Sequence, residues 1–229
     1  SFLDGGWAKR TAVAELDSVA SDTGYFQNIP AEINPEEELS VQWEKHLQRI
    51  NVCSKEGLQL GFDSMVGGNT VSAPYGGKNQ VTPSEAVVTR MPLEGARTAM
   101  AMTVGYDPDL AMKSPYLGAM YAVIQSLSKL AAIGYDWKKA RLTFQNYFER
   151  LGNDPARWGK PLAAQLGAEE AVARLGTPAI GGKDSMSGTF GKGDDRIDVP
   201  PTLISFAVAA GKISDVGMNM FQKPNSKVV

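Results

Sequence analysis

Histidine and cysteine are almost missing from this sequence, with His46 and Cys53 the single representatives. One cysteine excludes an internal disulfide and a multi-cysteine metal site, and fits a reducing compartment better than secretion. One histidine closes off most acid–base, nucleophilic and zinc mechanisms. His46 also has a poor address for catalysis: it lies beside an apolar stripe of Leu39, Trp43, Leu47 and Ile50 on a charged helix expected over residues 36–50. Asn34 and Pro35 supply the N-cap and first-turn residues of that expected helix, and His46 reads as a solvated helix-edge side chain. Neither sign of charge dominates, because the formal net charge is −2 and the basic residues are scattered singly. Nucleic acid and acidic membranes are therefore excluded as main partners. Long apolar runs are lacking as well; the longest, around 120–133, is broken by Gln125, Ser126, Ser128 and Lys129. Residues 1–10 have no signal pattern, so the expectation is a cytoplasmic chain with no membrane span.

What is present is enough apolar material, 43% of 229 residues, for one sizeable core. Residues 1–34 show no clear period and read as a linker or the tail of a preceding domain; residues 35–212 read as the folded unit, and 213–229 as the start of a further linker. Both ends read as cut from a longer chain. Within the unit the pattern predicts a short helix over 54–61, a glycine- and proline-rich loop over 66–83, and strands at 85–91 and 97–106 spaced for a hairpin. A long helix begins after Ser114-Pro115 and stops at Gly134, and its small residues Gly118, Ala119, Ala122, Ala131 and Ala132 imply close packing. A strand over 140–148, an amphipathic helix over 161–175, a short buried strand at 178–180 and a strongly apolar strand over 202–210 complete the order. Locally pairing strands with helices between some of them predict an α+β fold, a mixed β-sheet with helices on one face.

The most informative string runs from Thr177 to Gly188 and holds Gly181, Gly182, Lys183, Asp184, Ser185 and Ser187. Glycines admit an anion to backbone N–H groups, serines donate hydrogen bonds, Lys183 supplies charge and Asp184 could hold a magnesium ion. The spacing fits neither a Walker loop nor a dinucleotide fingerprint, and a tight turn with no ligand explains the string equally well. Burying Lys183, Asp184 and Ser185 together without partners would cost several kcal/mol, so Asp184 and Ser185 are expected at an exposed loop mouth. A second string, Asp63-Ser64-Met65-Val66-Gly67-Gly68, places a carboxylate before a flexible pair and also reads as an exposed loop. Gln125 and Lys129, four apart, share one helix face.

In this order, the strings Val66-Gly67-Gly68-Asn69-Thr70-Val71, Ser114-Pro115-Tyr116-Leu117-Gly118-Ala119, Arg141-Leu142-Thr143-Phe144-Gln145 and Gly181-Gly182-Lys183-Asp184-Ser185-Met186-Ser187 resemble phosphoribosylformylglycinamidine synthase in its large single-chain form. The likeness covers about residues 34–212 and falls in the second of the enzyme's pseudo-symmetric halves. That subdomain shares its fold with the N-terminal domain of aminoimidazole ribotide synthetase. The resemblance implies an ATP- and magnesium-dependent ligase of purine biosynthesis: ATP phosphorylates the amide oxygen of formylglycinamide ribonucleotide, and glutamine-derived ammonia displaces phosphate to give the amidine. Such chemistry rests on positioning and charge neutralisation. The family's catalytic histidine and glutaminase cysteine lie in segments absent from this sequence, so the chain alone is expected to be inactive and to work with the remaining domains of the same protein. The resemblance further assigns Lys55 and Asp63 to a held nucleotide and its magnesium, and Gly182 and Ser185 to a loop near ATP and the substrate phosphate. At the positions of a glutamate and an asparagine that hold magnesium in large family members stand Gln125 and Lys129, a weak ligand and a non-ligand. The superfamily buries the second sheet face against an equivalent domain, so Met91, Met100 and Met102 are expected partly exposed, as a possible dimer surface. A scaffold role with no ligand binding is the competing expectation.

Overall fold

The computed structural model describes residues 11–16, 34–61, 67–225 and 227. Helix α1 (Leu39–Gln48) and the short α2 (Glu56–Leu60) come first. Then follow strands β1 (Thr70–Ser72), β2 (Tyr75–Gly76), β3 (Thr82–Pro83), β4 (Ala86–Arg90) and β5 (Thr98–Gly105). Helices α3 (Pro108–Lys113) and α4 (Pro115–Ala132) lead to β6 (Arg141–Tyr147), α5 (Pro155–Leu175) and β7 (Ala179–Ser185). The small hairpin β8 (Thr189–Phe190) and β9 (Ile197–Asp198) precedes the long β10 (Thr202–Lys212). Six strands form one mixed sheet in the order β1-β4-β5-β10-β6-β7. Every neighbour pair is antiparallel except β6 and β7, which run parallel with α5 as their crossover.

The expected α+β fold is the observed one. The two hairpin strands and β10 share the sheet, and α4 lies across one face of β5 and β10. The apolar composition of β10 follows from its place, since β5 and β6 pair with it on both sides. On α4, Ser114 accepts a hydrogen bond from Leu117 N–H at 3.2 Å and Pro115 occupies the first turn. The small residues allow contact at backbone distance: a Cβ at Gly105 would come within 2.0 Å of Ala122 O, and one at Gly167 within 2.0 Å of Tyr116 O. The core formed between the sheet and helices α4 and α5 joins Val88, Ala101, Val123, Leu127, Leu130 and Leu142 with further small and aromatic side chains.

Four boundaries differ from expectation, the first being that the expected loop over 66–83 contains β1, β2 and β3, with β1 pairing onto β4 at the edge of the main sheet. Helix α5 begins six residues before Pro161, because Asp154 and Pro155 provide the cap: Asp154 Oδ1 accepts from Ala156 N–H at 3.0 Å. Pro161 then sits inside the helix, at the loss of one backbone hydrogen bond. Helix α1 begins at Leu39 rather than 36, because Asn34 and Pro35 cap a turn instead. Asn34 Oδ1 accepts from Glu36 N–H, and the Gln42 side chain bonds both Asn34 N–H and Asn34 O. The stripe Leu39, Trp43, Leu47 and Ile50 is solvent exposed, as is His46. Finally, the segment expected as a short buried strand at 178–180 ending before the glycines is an exposed edge strand that continues through them to Ser185, with Ile180 75% exposed.

The second face of the sheet carries no helix among the described residues. Val87, Met102 and Val208 form one cross-strand row, and Val104 and Phe206 the next. Met102 is 42% exposed there, with Met91 also exposed and Met100 half-buried.

Candidate functional site at the parallel strand pair

In open sheets, ligands gather beyond the carboxyl ends of parallel strands, and β6 and β7 are the single parallel pair among the described residues. Alternation along β6 turns Leu142, Phe144 and Asn146 toward the helices and Thr143, Gln145 and Tyr147 toward the open face. Register then pairs Asn146 with Asp184 and Tyr147 with Ser185, one residue and none from the ends of the strands. The Asn146 carboxamide, only 8% exposed, donates from Nδ2 to Asp184 Oδ1 at 2.6 Å. Its Oδ1 is buried and accepts nothing. On the opposite face the Lys183 ammonium stands 4.6 Å from the Tyr147 ring centroid. Ser185 Oγ lies 3.2 Å from Ser187 Oγ, and Ser185 O accepts from Phe148 N–H. A Cβ at Gly182 would meet Phe144 O at 2.5 Å, so this glycine is already required by strand packing.

Behind this end lies a charge network that the sequence reading did not single out. Glu149, 5% exposed, follows β6 and accepts from Lys160 Nζ at 2.5 Å and Arg196 Nη2 at 3.1 Å, with Arg157 Nε at 3.4 Å. Arg196 Nε also grips both oxygens of Asp198, at 3.0 and 2.8 Å, and Thr189 Oγ1 donates to Asp198 at 2.6 Å. The Arg196 guanidinium, with Thr189 assisting, holds the Asp198 carboxyl well below the usual carboxylate range. The network ties the β8–β9 hairpin to the start of α5. Lys160 and Asp198 also line a cavity of about 650 Å³ whose other walls include Met112, Lys113, Pro115 and Pro200. A signal was present in sequence, since Glu149, Arg157 and Lys160 flank a helix start, but pairing across 47 residues to Arg196 is a tertiary fact.

The structure brings Gly182, Asp184 and Ser185 onto one strand, exposed or half-buried as expected of Asp184 and Ser185, although the strand replaces the expected loop. Lys55 is not gathered with them by any contact; its ammonium bonds Ile50 O, Cys53 O and Cys53 Sγ, all local. Asp63 lies outside the described residues. Gln125 reaches the same end of the sheet but over β5, where its Oε1 accepts from Tyr106 N–H at 2.7 Å. Three strand spacings separate β5 from β7, on the order of 14 Å. Lys129 pairs with Glu85 at 2.5 Å just ahead of β4. Among the described residues no group of three or more His, Cys, Asp or Glu side chains converges on a metal position.

No family model matches the chain. It is 29% identical over 153 residues to the phosphoribosylformylglycinamidine synthase subunit PurL of Rhodopseudomonas palustris, covering 66% of this chain and 19% of that protein. To PurL of a Synechococcus strain it is 29% identical over 172 residues, covering 72% of this chain and 22% of the relative. The chain therefore spans about a fifth of the length of these curated relatives. Among solved structures it is similar to PurLQS from Thermotoga maritima, with a TM-score of 0.57 and 22% identity over 72% of this chain and 25% of that one. Thermotoga maritima PurL complexed with FGAR gives a TM-score of 0.54 and 23% identity over 72% of this chain and 24% of that one. The complex with ATP gives 0.53 and 21%, again over 72% of this chain and 24% of the other. The resemblance to phosphoribosylformylglycinamidine synthase seen in the motifs thus extends to sequence similarity over about two thirds of the chain, and the mixed sheet is the fold of these PurL structures.

Proposed function

We propose that this chain forms a nucleotide- and phosphate-handling subdomain of an ATP-dependent carbon–nitrogen ligase that converts formylglycinamide ribonucleotide to its amidine with glutamine-derived ammonia. The observation that carries the reading is the polar end of the β6–β7 pair, where a buried carboxamide holds an exposed carboxylate beside two hydroxyls. Residues 35–212 form the subdomain, with 1–34 and 213–229 joining it to neighbouring domains of a longer protein. Ser185 and nearby backbone N–H groups approach the substrate phosphate, Gly182 the nucleotide, and Lys55 and Asp63 the nucleotide and its metal. The open apolar face of the sheet, with Met102, Val104 and Phe206, receives an equivalent domain or a second copy.

Magnesium fits the β6–β7 end. This cation takes hard oxygen ligands, usually one or two carboxylates with waters and phosphate oxygens, and Asp184 offers an exposed carboxylate steadied by the Asn146 carboxamide. When bound, it would neutralise phosphate charge. It does not fit the long helix, where Gln125 and Lys129 are committed to Tyr106 and Glu85. That commitment favours a second reading for this part of the chain, a scaffold that has given up ligand binding.

Titrating the full chain with a fluorescent ATP analogue and magnesium, while following hydrogen exchange at 181–188, separates the two readings. Saturable binding with slowed exchange in this stretch supports the ligand site, and Ser185→Ala, which removes a hydroxyl assigned to the substrate phosphate, should then leave ATP-analogue binding in place and weaken formylglycinamide ribonucleotide binding about tenfold, in line with loss of a charge-assisted hydrogen bond. No saturable binding leaves the scaffold reading.

A further inference from the structure

A stretch that reads as a linker is docked on the fold at a place prepared for it. Residues 11–16 carry no regular element, yet Glu15 N–H donates to Pro155 O at 2.9 Å, in the first turn of α5. One turn further on, Gly159 is buried, and a Cβ there would come within 1.9 Å of Glu15 O. A glycine in the middle of a helix weakens it relative to alanine, so its presence in α5 needs a reason. Gly167, the other glycine inside this helix, has one, since the backbone of α4 crosses there at Tyr116. Each interior glycine of α5 thus marks a crossing chain, and at Gly159 that chain is the 11–16 strap. Ahead of the contact, Thr11, Ala12 and Val13 border a cavity of about 630 Å³ with Gly152 and Trp158. Beyond it, Glu15 and Leu16 form one wall of the cavity of about 650 Å³ that Lys160 and Asp198 also line.

We infer that this strap is a coupling element: docked on α5, it walls the Glu149 network from solvent, so displacement of the chain ahead of Thr11 is passed to the β8–β9 hairpin. The contacts form an unbroken series. Glu15 and Leu16 share a cavity with Lys160 and Asp198. Lys160 bonds Glu149, Glu149 bonds Arg196, and Arg196 grips Asp198 on β9. Ion pairs lose strength as water replaces protein around them, and removing Glu15 and Leu16 opens the cavity to solvent at Lys160, which is half-buried. The hairpin so loosened follows directly on the Ser185–Ser187 end of β7, which places the far end of the series beside the candidate site. The surface on α5 takes a chain that can approach a helix backbone to backbone, and Glu15 meets it with both its N–H and its carbonyl. Neither a nucleotide nor a metal enters this inference, which therefore stands apart from the ligand reading above.

Coupling of this kind is established by a response at the far end, not by proximity. The test is hydrogen exchange of the full chain, with urea unfolding alongside, in wild type, Gly159→Ala and Glu15→Pro. Gly159→Ala puts a methyl group where Glu15 O lies, so amides of 11–16 should exchange about tenfold faster or more. Amides of 189–198 should quicken with them by severalfold, while those of β10 keep their wild-type rates. In a helix with nothing against Gly159 the same substitution raises the urea midpoint, and a raised midpoint with 11–16 unchanged overturns the docking. Faster exchange at 11–16 with wild-type rates at 189–198 overturns the coupling. Glu15→Pro removes the N–H that Pro155 O accepts and leaves the helix sequence untouched. It decides by the response of 189–198 if Gly159→Ala quickens exchange throughout the chain or fails to fold: faster exchange there supports the coupling, and unchanged exchange overturns it.

Discussion

Two groups of polar side chains meet the same end of the sheet, one over β5 and one at the β6–β7 edge, and they differ in what remains unspent. At the long helix, the Gln125 oxygen closes the backbone at Tyr106 and the Lys129 ammonium pairs with Glu85, so both are engaged within the fold. At β6–β7, the Asn146 amide leaves one oxygen idle and Asp184 leaves one oxygen toward solvent. Polar residues in the first place are explained by packing and hydrogen bonding alone. Those in the second are not, and the unexplained remainder is the argument for a ligand.

The largest expected break in this contrast is at Glu149, whose buried carboxylate gathers Lys160, Arg157 and Arg196 behind the β6–β7 end. Removing one partner of a buried ionic network leaves uncompensated charge and costs about 3–5 kcal/mol. Because Lys160 and Arg157 are partly exposed and can rehydrate, Glu149→Ala should cost near the lower end, about 3 kcal/mol, in urea denaturation. The same substitution should loosen the β8–β9 hairpin, read as faster hydrogen exchange over 189–198.

Much of the fold was legible beforehand, and the exceptions have physical causes. The α4 helix could be read from Ser114-Pro115, and the hairpin and β10 from alternation and apolar composition, because these are local signals. Helix α5 extends ahead of its expected span because Asp154-Pro155 caps it six residues before Pro161. The apolar residues Pro178, Ala179 and Ile180 suggest burial, yet edge position is decided by which strand lies beside them, a property of the whole sheet. Asp184 and Ser185 were found by composition. Asn146 was missed, since one asparagine in an apolar strand becomes informative when its partner and its idle oxygen are seen together.

A second effect should appear in acid. The guanidinium of Arg196 lowers the Asp198 carboxyl below its unfolded value of about 4, so its contribution is complete above that pH and is lost as pH falls toward the folded value. The stability advantage of wild type over Asp198→Asn should therefore shrink below about pH 4 and be constant from pH 5 to 7. An advantage that grows in acid would contradict this assignment of the network.

The smallest effect belongs to the long-helix pair. Glu85 is 67% exposed, and exposed ion pairs contribute about 0–1 kcal/mol. Glu85→Ala should change the midpoint of unfolding little, and a loss above about 2 kcal/mol would show that Lys129 depends on its partner more than exposure suggests.

The contrast between the two groups is tested most directly by metal-dependent nucleotide binding in Asp184→Asn and Lys129→Met, measured side by side on the full chain. Asp184→Asn should abolish the tightening of ADP binding by Mn2+, and Lys129→Met should leave it intact. Loss in Lys129→Met with retention in Asp184→Asn would place the working site at the long helix and contradict the account.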